Sequence, residues 1–159
     1  MPSLLLPKKI SDLVHKTIEL SDLESSIIQT KIFQRLRNVK QLGLAHYVYP
    51  GADFSRFSHS LGVCHVTGRI LNTLNERKSF DNPNPAREIQ KYRLAALFQD
   101  IGHYPFSHAM EDAIDNYYSK TIYETKELSS RSESEEAETK SFYPHVVLGK
   151  RILELGAWR

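Results

Sequence analysis

A chain of 159 residues, 40% apolar and 25% charged, suits a single soluble globular domain able to bury most of its apolar surface. No apolar run approaches the roughly 18–20 residues of a membrane span, and the opening MPSLLLPKKI is too short in leucines for a signal peptide. A cytoplasmic location with no membrane partner is therefore expected. The net charge of +2 divides unevenly: residues 1–100 carry 14 Lys/Arg against 9 Asp/Glu, and residues 101–159 carry 7 against 10. A modest basic excess thus sits in the first part of the chain, as a polyanionic ligand would favour.

In chain order, residues 8–20 are β-branched and partly alternating, which predicts a short strand pair or an extended arm. Ser21 and Glu24 then have the spacing of a capping box. The helical stretch after them runs to about Gln41, with a break near Gln29–Thr30. Ile32, Phe33, Leu36 and Val39 give it an apolar stripe. Tyr49 to Asp53 is a turn. A long helix is expected over about 56–76, its buried face made of Leu61, Cys64, Val66, Gly68, Ile70, Leu71 and Leu74. Cys64 is the only cysteine, which excludes an intrachain disulfide and a multi-cysteine zinc site; it reads as a small buried hydrophobe.

Residues 78–85 form a loop, and a further helix spans about 86–100. Pro105 permits a fresh start that carries His108 to about Tyr118. Residues 126–140, rich in Ser and Glu, read as a mobile surface insertion. Val146 to Leu153 closes the pattern as a helix. The sum is an all-α domain with one short N-terminal β element.

Two short segments carry the chemistry. FSRFSHSLGVCH (54–65) supplies Arg56 and His59, and LAALFQDIGHYPFSH (94–108) supplies Asp100, His103 and His108. An imidazole near the start of one helix and a carboxylate at the end of another can meet on a divalent cation, leaving coordination positions for water and phosphate. Taken singly, each residue also has a structural reading: a satisfied histidine, a helix-terminal aspartate, an ion-paired arginine. The clustering of all five is more specific than any one of them.

The run FQRLRNVKQLGLAHYVYPGADFSRFSHSLGV (33–63), then LAALFQDIGHYPFSHAME, resembles the deoxynucleoside triphosphate triphosphohydrolases of the HD superfamily. It is most similar to the branch that includes sterile-alpha-motif and HD-domain proteins. The likeness covers about residues 8–118 and resumes over 142–153. It implies an all-α HD-domain helical bundle, hydrolysis of a dNTP to deoxynucleoside and triphosphate, and a divalent metal ion (Mg, Mn, Fe, Ni or Zn). The partners it implies are a dNTP or other nucleotide and further copies of the chain in a homo-oligomer.

Carried over by position, His59, Gln99 and Asp100 are the metal ligands, and Arg56 grips phosphate oxygens, a task that suits a guanidinium fork. His108 is the acid for the departing 5′ oxygen. His103, Glu111 and His145 line the phosphate end or orient water. Gln41 and Leu42 touch the deoxynucleoside, and Lys8, Gln34 and Arg37 match positions that bind regulatory nucleotides.

Three departures set the expected activity. Gln99 stands where the motif has histidine, and its amide oxygen is a weaker donor. The pattern's final aspartate is missing, since no aspartate occurs after His145, and the domain is expected to be truncated. Gln29 replaces an acidic residue that reads guanine in regulated relatives. Impaired hydrolysis is the first expectation, and a non-catalytic nucleotide-binding or oligomer-scaffolding module the alternative. Lys31, Arg35, Arg37 and Lys40 also raise contact with nucleic acid, with a solvated helix face as the plainer reading.

Overall fold

The computed structural model describes residues 8–79, 82–127 and 144–154. It opens on an antiparallel hairpin of β1 (Lys8–Asp12) and β2 (Lys16–Leu20), in which Lys8 faces Leu20 and Asp12 faces Lys16. The Asp12 carboxylate closes the turn by accepting from the Val14 and His15 amides at 2.9 and 2.7 Å. The β1–β2 pair is the extended element expected ahead of Ser21.

Ser21 caps α1 (Asp22–Ile28) in a reciprocal capping box with Glu24. The chain breaks at Gln29–Thr30, and Thr30 caps the short α2 (Lys31–Gln34). A 3-10 turn over Arg35–Asn38 comes next, and Val39 is already extended, so the helical stretch ends earlier than Gln41. Competing backbone bonds end it: the Val39 carbonyl accepts from the Arg56 amide at 2.8 Å and the Gln41 amide donates to Phe54 at 3.0 Å. Pairing with the entrance to the next helix takes these backbone groups out of the helical ladder.

Ser55 caps α3 (Arg56–Glu76), and Asn84 with Pro85 starts α4 (Pro85–Phe98). These two form the packed centre of the molecule. The core joins Ile18 and Leu20 of β2, Ile28, Phe33 and Leu36, Phe57, Leu61 and Cys64 of α3, and Ala96, Leu97 and Ile101. Phe33 meets Phe57 edge to face at 5.6 Å. Cys64 is fully buried, and burial pushes its thiol up to about 12, so it acts as a hydrophobe.

The face of α3 is narrower than the sequence predicts. Leu61, Cys64 and Gly68 are buried, but Val66, Ile70 and Leu74 are exposed on the opposite side. Gly68 marks where α4 comes close, since an added Cβ would lie 2.3 Å from the Arg93 guanidinium.

Two helices complete the described chain. α5 (His108–Glu127) reaches beyond Tyr118, because residues 109–127 contain neither glycine nor proline to stop it. Lys126 and Glu127 are therefore helical, and the rest of the expected 126–140 insertion lies outside the described residues. α6 (Pro144–Glu154) is the C-terminal helix. No helix among the described residues is long and apolar enough to cross a membrane.

Candidate active site

The two signature segments converge. The α3 N-terminus presents Arg56 and His59, and the end of α4 presents Asp100 across from them. Arg56, only 2% exposed, donates to Asp100 Oδ2 at 2.8 Å, to the Ser107 hydroxyl at 3.1 Å and to the Gln41 carbonyl at 3.5 Å. His59 Nε2 lies 3.9 Å from the same Asp100 oxygen, and His103 Nε2 lies 3.7 Å from the other. Asp100 is thus shared by an arginine and two histidines. The Arg56 guanidinium is turned inward onto it.

Beyond Asp100 the chain bends sharply. Phe106 and Ser107 both adopt positive φ, 67° and 53°. Non-glycine residues rarely occupy this region, and such strain concentrates at functional sites. The bend is fastened from both sides: the Ser107 hydroxyl donates to the Lys40 carbonyl at 2.8 Å while accepting from Arg56. Arg35 holds the turn before it, donating to the carbonyls of Ile101 and His103. Neither Ser107 nor Arg35 is marked by the metal-ligand pattern. The signal for Ser107 was its place between Pro105 and the start of α5.

A second centre forms around Glu111, which is buried one turn into α5. One carboxylate oxygen accepts from His108 Nδ1 at 2.7 Å. The other lies 2.5 Å from His145 Nδ1 and 3.4 Å from His103 Nδ1. The His103 and His145 rings stack at 3.9 Å with planes 11° apart, and His108 stands edge-on to His103 at 5.2 Å. His145 arrives on α6 because Gly102 leaves room for it: a Cβ there would sit 1.9 Å from the His145 carbonyl oxygen.

The electrostatics follow from burial and charge. Burial pushes His103 down to about 3, helped by the Arg56, His145 and His108 charges and opposed by Glu111, so its ring is neutral at physiological pH. Burial by itself would raise Glu111, but the hydrogen bond from His108 and the neighbouring imidazoles outweigh it and hold the carboxyl below its usual range. His108 remains open to solvent, with its side chain 68% exposed.

Other predicted positions lie around this core. Gln99 sits at the C-terminal cap of α4 with its side chain exposed and makes no side-chain hydrogen bond among the described residues. Gln41 is half-buried beside Arg56, and Leu42 next to it is 50% exposed. Gln34 and Arg37 are brought together at 2.7 Å, with the Arg37 guanidinium 3.7 Å over the Phe57 ring. Lys8 is exposed at the outer end of the hairpin. The basic group at 31–40 is not one free surface, because Arg35 is tied to backbone carbonyls and Lys40 pairs with Asp53 at 2.5 Å. A cavity of about 410 Å³ opens beside His59, lined by Asp12, His15, Phe54, Ser58 and Gly62 among others.

The sequence has relatives among known proteins. It is 44% identical over 104 residues to the deoxynucleoside triphosphate triphosphohydrolase SAMHD1 of Bos taurus, covering 65% of this chain and 18% of the relative. The SAMHD1 homolog of Dictyostelium discoideum is 40% identical over 108 residues, covering 68% of this chain and 21% of that protein. An uncharacterized protein of Methanocaldococcus jannaschii, MJ1154, is 42% identical over 104 residues, again 65% of this chain and 21% of the relative. The chain therefore spans about a fifth of the length of these curated relatives. The HD domain family model matches residues 56–155, from the Arg56 that opens α3 to the end of α6. This chain belongs to the HD-domain family.

Proposed function

We propose that this chain is one HD phosphohydrolase unit that takes dNTPs as substrates, releases triphosphate, and is impaired as it stands. Membership of the HD family implies a divalent metal. The His59–Gln99–Asp100 position does not fit one here. Asp100 is already neutralised by a guanidinium at 2.8 Å, a second cation beside Arg56 would meet like charge, and Gln99 faces solvent with a neutral amide.

The chain's own groups suit the remaining tasks. His108 is held through Nδ1 by the Glu111 carboxylate, which orients the ring and leaves Nε2 outward to donate to a departing 5′ oxygen. Neutral His103 and the Glu111-bound His145 orient water at the phosphate end. Gln41 and Leu42 contact the deoxynucleoside, with Gln41 offering a buried side-chain oxygen that has no hydrogen-bond partner among the described residues. Arg56 meets phosphate oxygens once substrate draws it from Asp100. Lys8, Gln34 and Arg37 receive a regulatory nucleotide, and self-association into a homo-oligomer completes the proposal.

The observation that carries this reading is one buried carboxylate gripping two histidines at 2.5–2.7 Å, one of them solvent-facing, next to the Arg56–Asp100 pair. The test is triphosphate release from each dNTP, separated by ion-exchange chromatography. The Gln99→His variant, which replaces the neutral amide with an imidazole donor, should exceed the parent at least about 10-fold. Absence of triphosphate from both proteins with every dNTP overturns the catalytic reading.

The Arg56–Asp100 pair favours a second reading, a non-catalytic nucleotide-binding module. It predicts dNTP binding that survives chelator and yields no product, which equilibrium titration with and without chelator would read directly.

A further inference from the structure

We propose that His103, Glu111 and His145 form a divalent-cation site of their own, displaced from the His59–Gln99–Asp100 position. The inference rests on the HD reading only for the expectation that a metal is present; its location follows from the geometry. One ligand atom from each of the three residues lies within 4.8 Å of the other two. Two imidazoles and a carboxylate are the donor set of an open zinc-type site, with further positions left for water.

A second observation points the same way. His103 is 2% exposed and its Nδ1, buried and facing Glu111 at 3.4 Å, has no hydrogen-bond partner among the described residues. A buried polar atom without a partner is costly, and a cation between it and the carboxylate removes that cost. The other ring nitrogen faces Asp100 Oδ1 at 3.7 Å, so a carboxylate stands behind this ligand as it commonly does behind metal-bound histidines.

A cation would take the place of the His145 Nδ1–Glu111 hydrogen bond, which is 2.5 Å long. A tetrahedral ion with bonds of about 2.0–2.2 Å sets its ligand atoms roughly 3.3–3.5 Å apart. The His103–Glu111 separation, 3.4 Å, already has that length, so the His145–Glu111 contact opens and the two stacked rings splay.

Cobalt(II) titrated into the chelator-treated chain, monitored by its visible ligand-field bands and by calorimetry, tests the assignment. The expected result is one ion per chain, with affinity reduced about 10–100-fold or more in Glu111→Gln and in His145→Gln, and unchanged within about 2-fold in His59→Ala. Thermal melting of each variant establishes folding, and the glutamine at 145 keeps a polar group facing Glu111 should an alanine there unfold α6. No cobalt binding by the parent overturns the proposal. So does a loss seen in His59→Ala while His145→Gln binds normally. The dNTP hydrolysis assay is independent of this readout: inactive protein that binds cobalt through His145 sinks the catalytic reading alone.

Discussion

At the scale of single residues, Arg56 is where sequence and structure diverge most usefully. The sequence offers two roles, a phosphate grip and an ion-pair partner, and spacing cannot choose between them. In the structure it is seated in the ion pair: at 2% exposure the side chain bonds to Asp100, Ser107 and Gln41. Replacing Arg56 by alanine leaves the Asp100 carboxylate buried without its counter-charge. That loss costs about 3–5 kcal/mol, measurable as a lower urea midpoint with little change in slope. Arg56→Lys keeps a charge but cannot reach three acceptors from one rigid plane, so it should recover only part of the stability.

The clustered candidate residues were legible as a set, because histidines and an aspartate in two short segments stand out from apolar surroundings. The set's internal wiring was not. Ser107 and Arg35 act through a hydroxyl and a guanidinium aimed at backbone carbonyls, and such bonds leave no periodic trace in sequence. His145 was found through resemblance alone. Nothing in its local pattern says that it stacks on a histidine more than forty positions earlier.

At the scale of elements, the helices and the hairpin follow from caps and breaks that the sequence states openly: Ser21 with Glu24, Thr30, Ser55, and Asn84 before Pro85. The width of a buried face is harder to read. Val66, Ile70 and Leu74 repeat at helical spacing, yet α4 packs on the other side, drawn to the glycine at 68. Glu24 shows how a cap can also serve the core. It closes the α1 box and takes two bonds from Arg93, at 2.7 and 2.9 Å, tying α1 to α4.

Burial alone would raise the Glu24 carboxyl, but Arg93 and the Ser21 amide outweigh it and hold it below 4.5. A carboxyl depressed on folding stabilises fully above its unfolded value of 4.5, and that contribution fades as pH falls through the folded value. Glu24→Gln should thus be less stable than the parent at neutral pH by roughly 2–4 kcal/mol. In melts from pH 7 downward, the gap should narrow only below about pH 4.5. A gap that stays constant to pH 3 would mean that the ion pair contributes nothing.

At the scale of the whole molecule, the site depends on α6 lying against the turn after α4. Glycines make that approach possible from both sides, Gly102 beneath the His145 carbonyl and Gly149 against Ile101. In Gly102→Ala the new methyl would meet backbone atoms at 1.9 and 2.5 Å, which cannot rotate aside. The expected outcome is a shift of α6, a loss of roughly 1–3 kcal/mol, and faster amide exchange across residues 144–154 than in the parent. Protection equal to the parent's would mean that α6 tolerates the methyl.

This packing also makes the cluster composite. Residues through Glu127 include the paired arginine and aspartate, the bent turn, and two of the three imidazoles around Glu111. The third ring comes from α6. Loosening α6 therefore takes one imidazole from Glu111 and unstacks His103, while the Arg56–Asp100 bond is untouched.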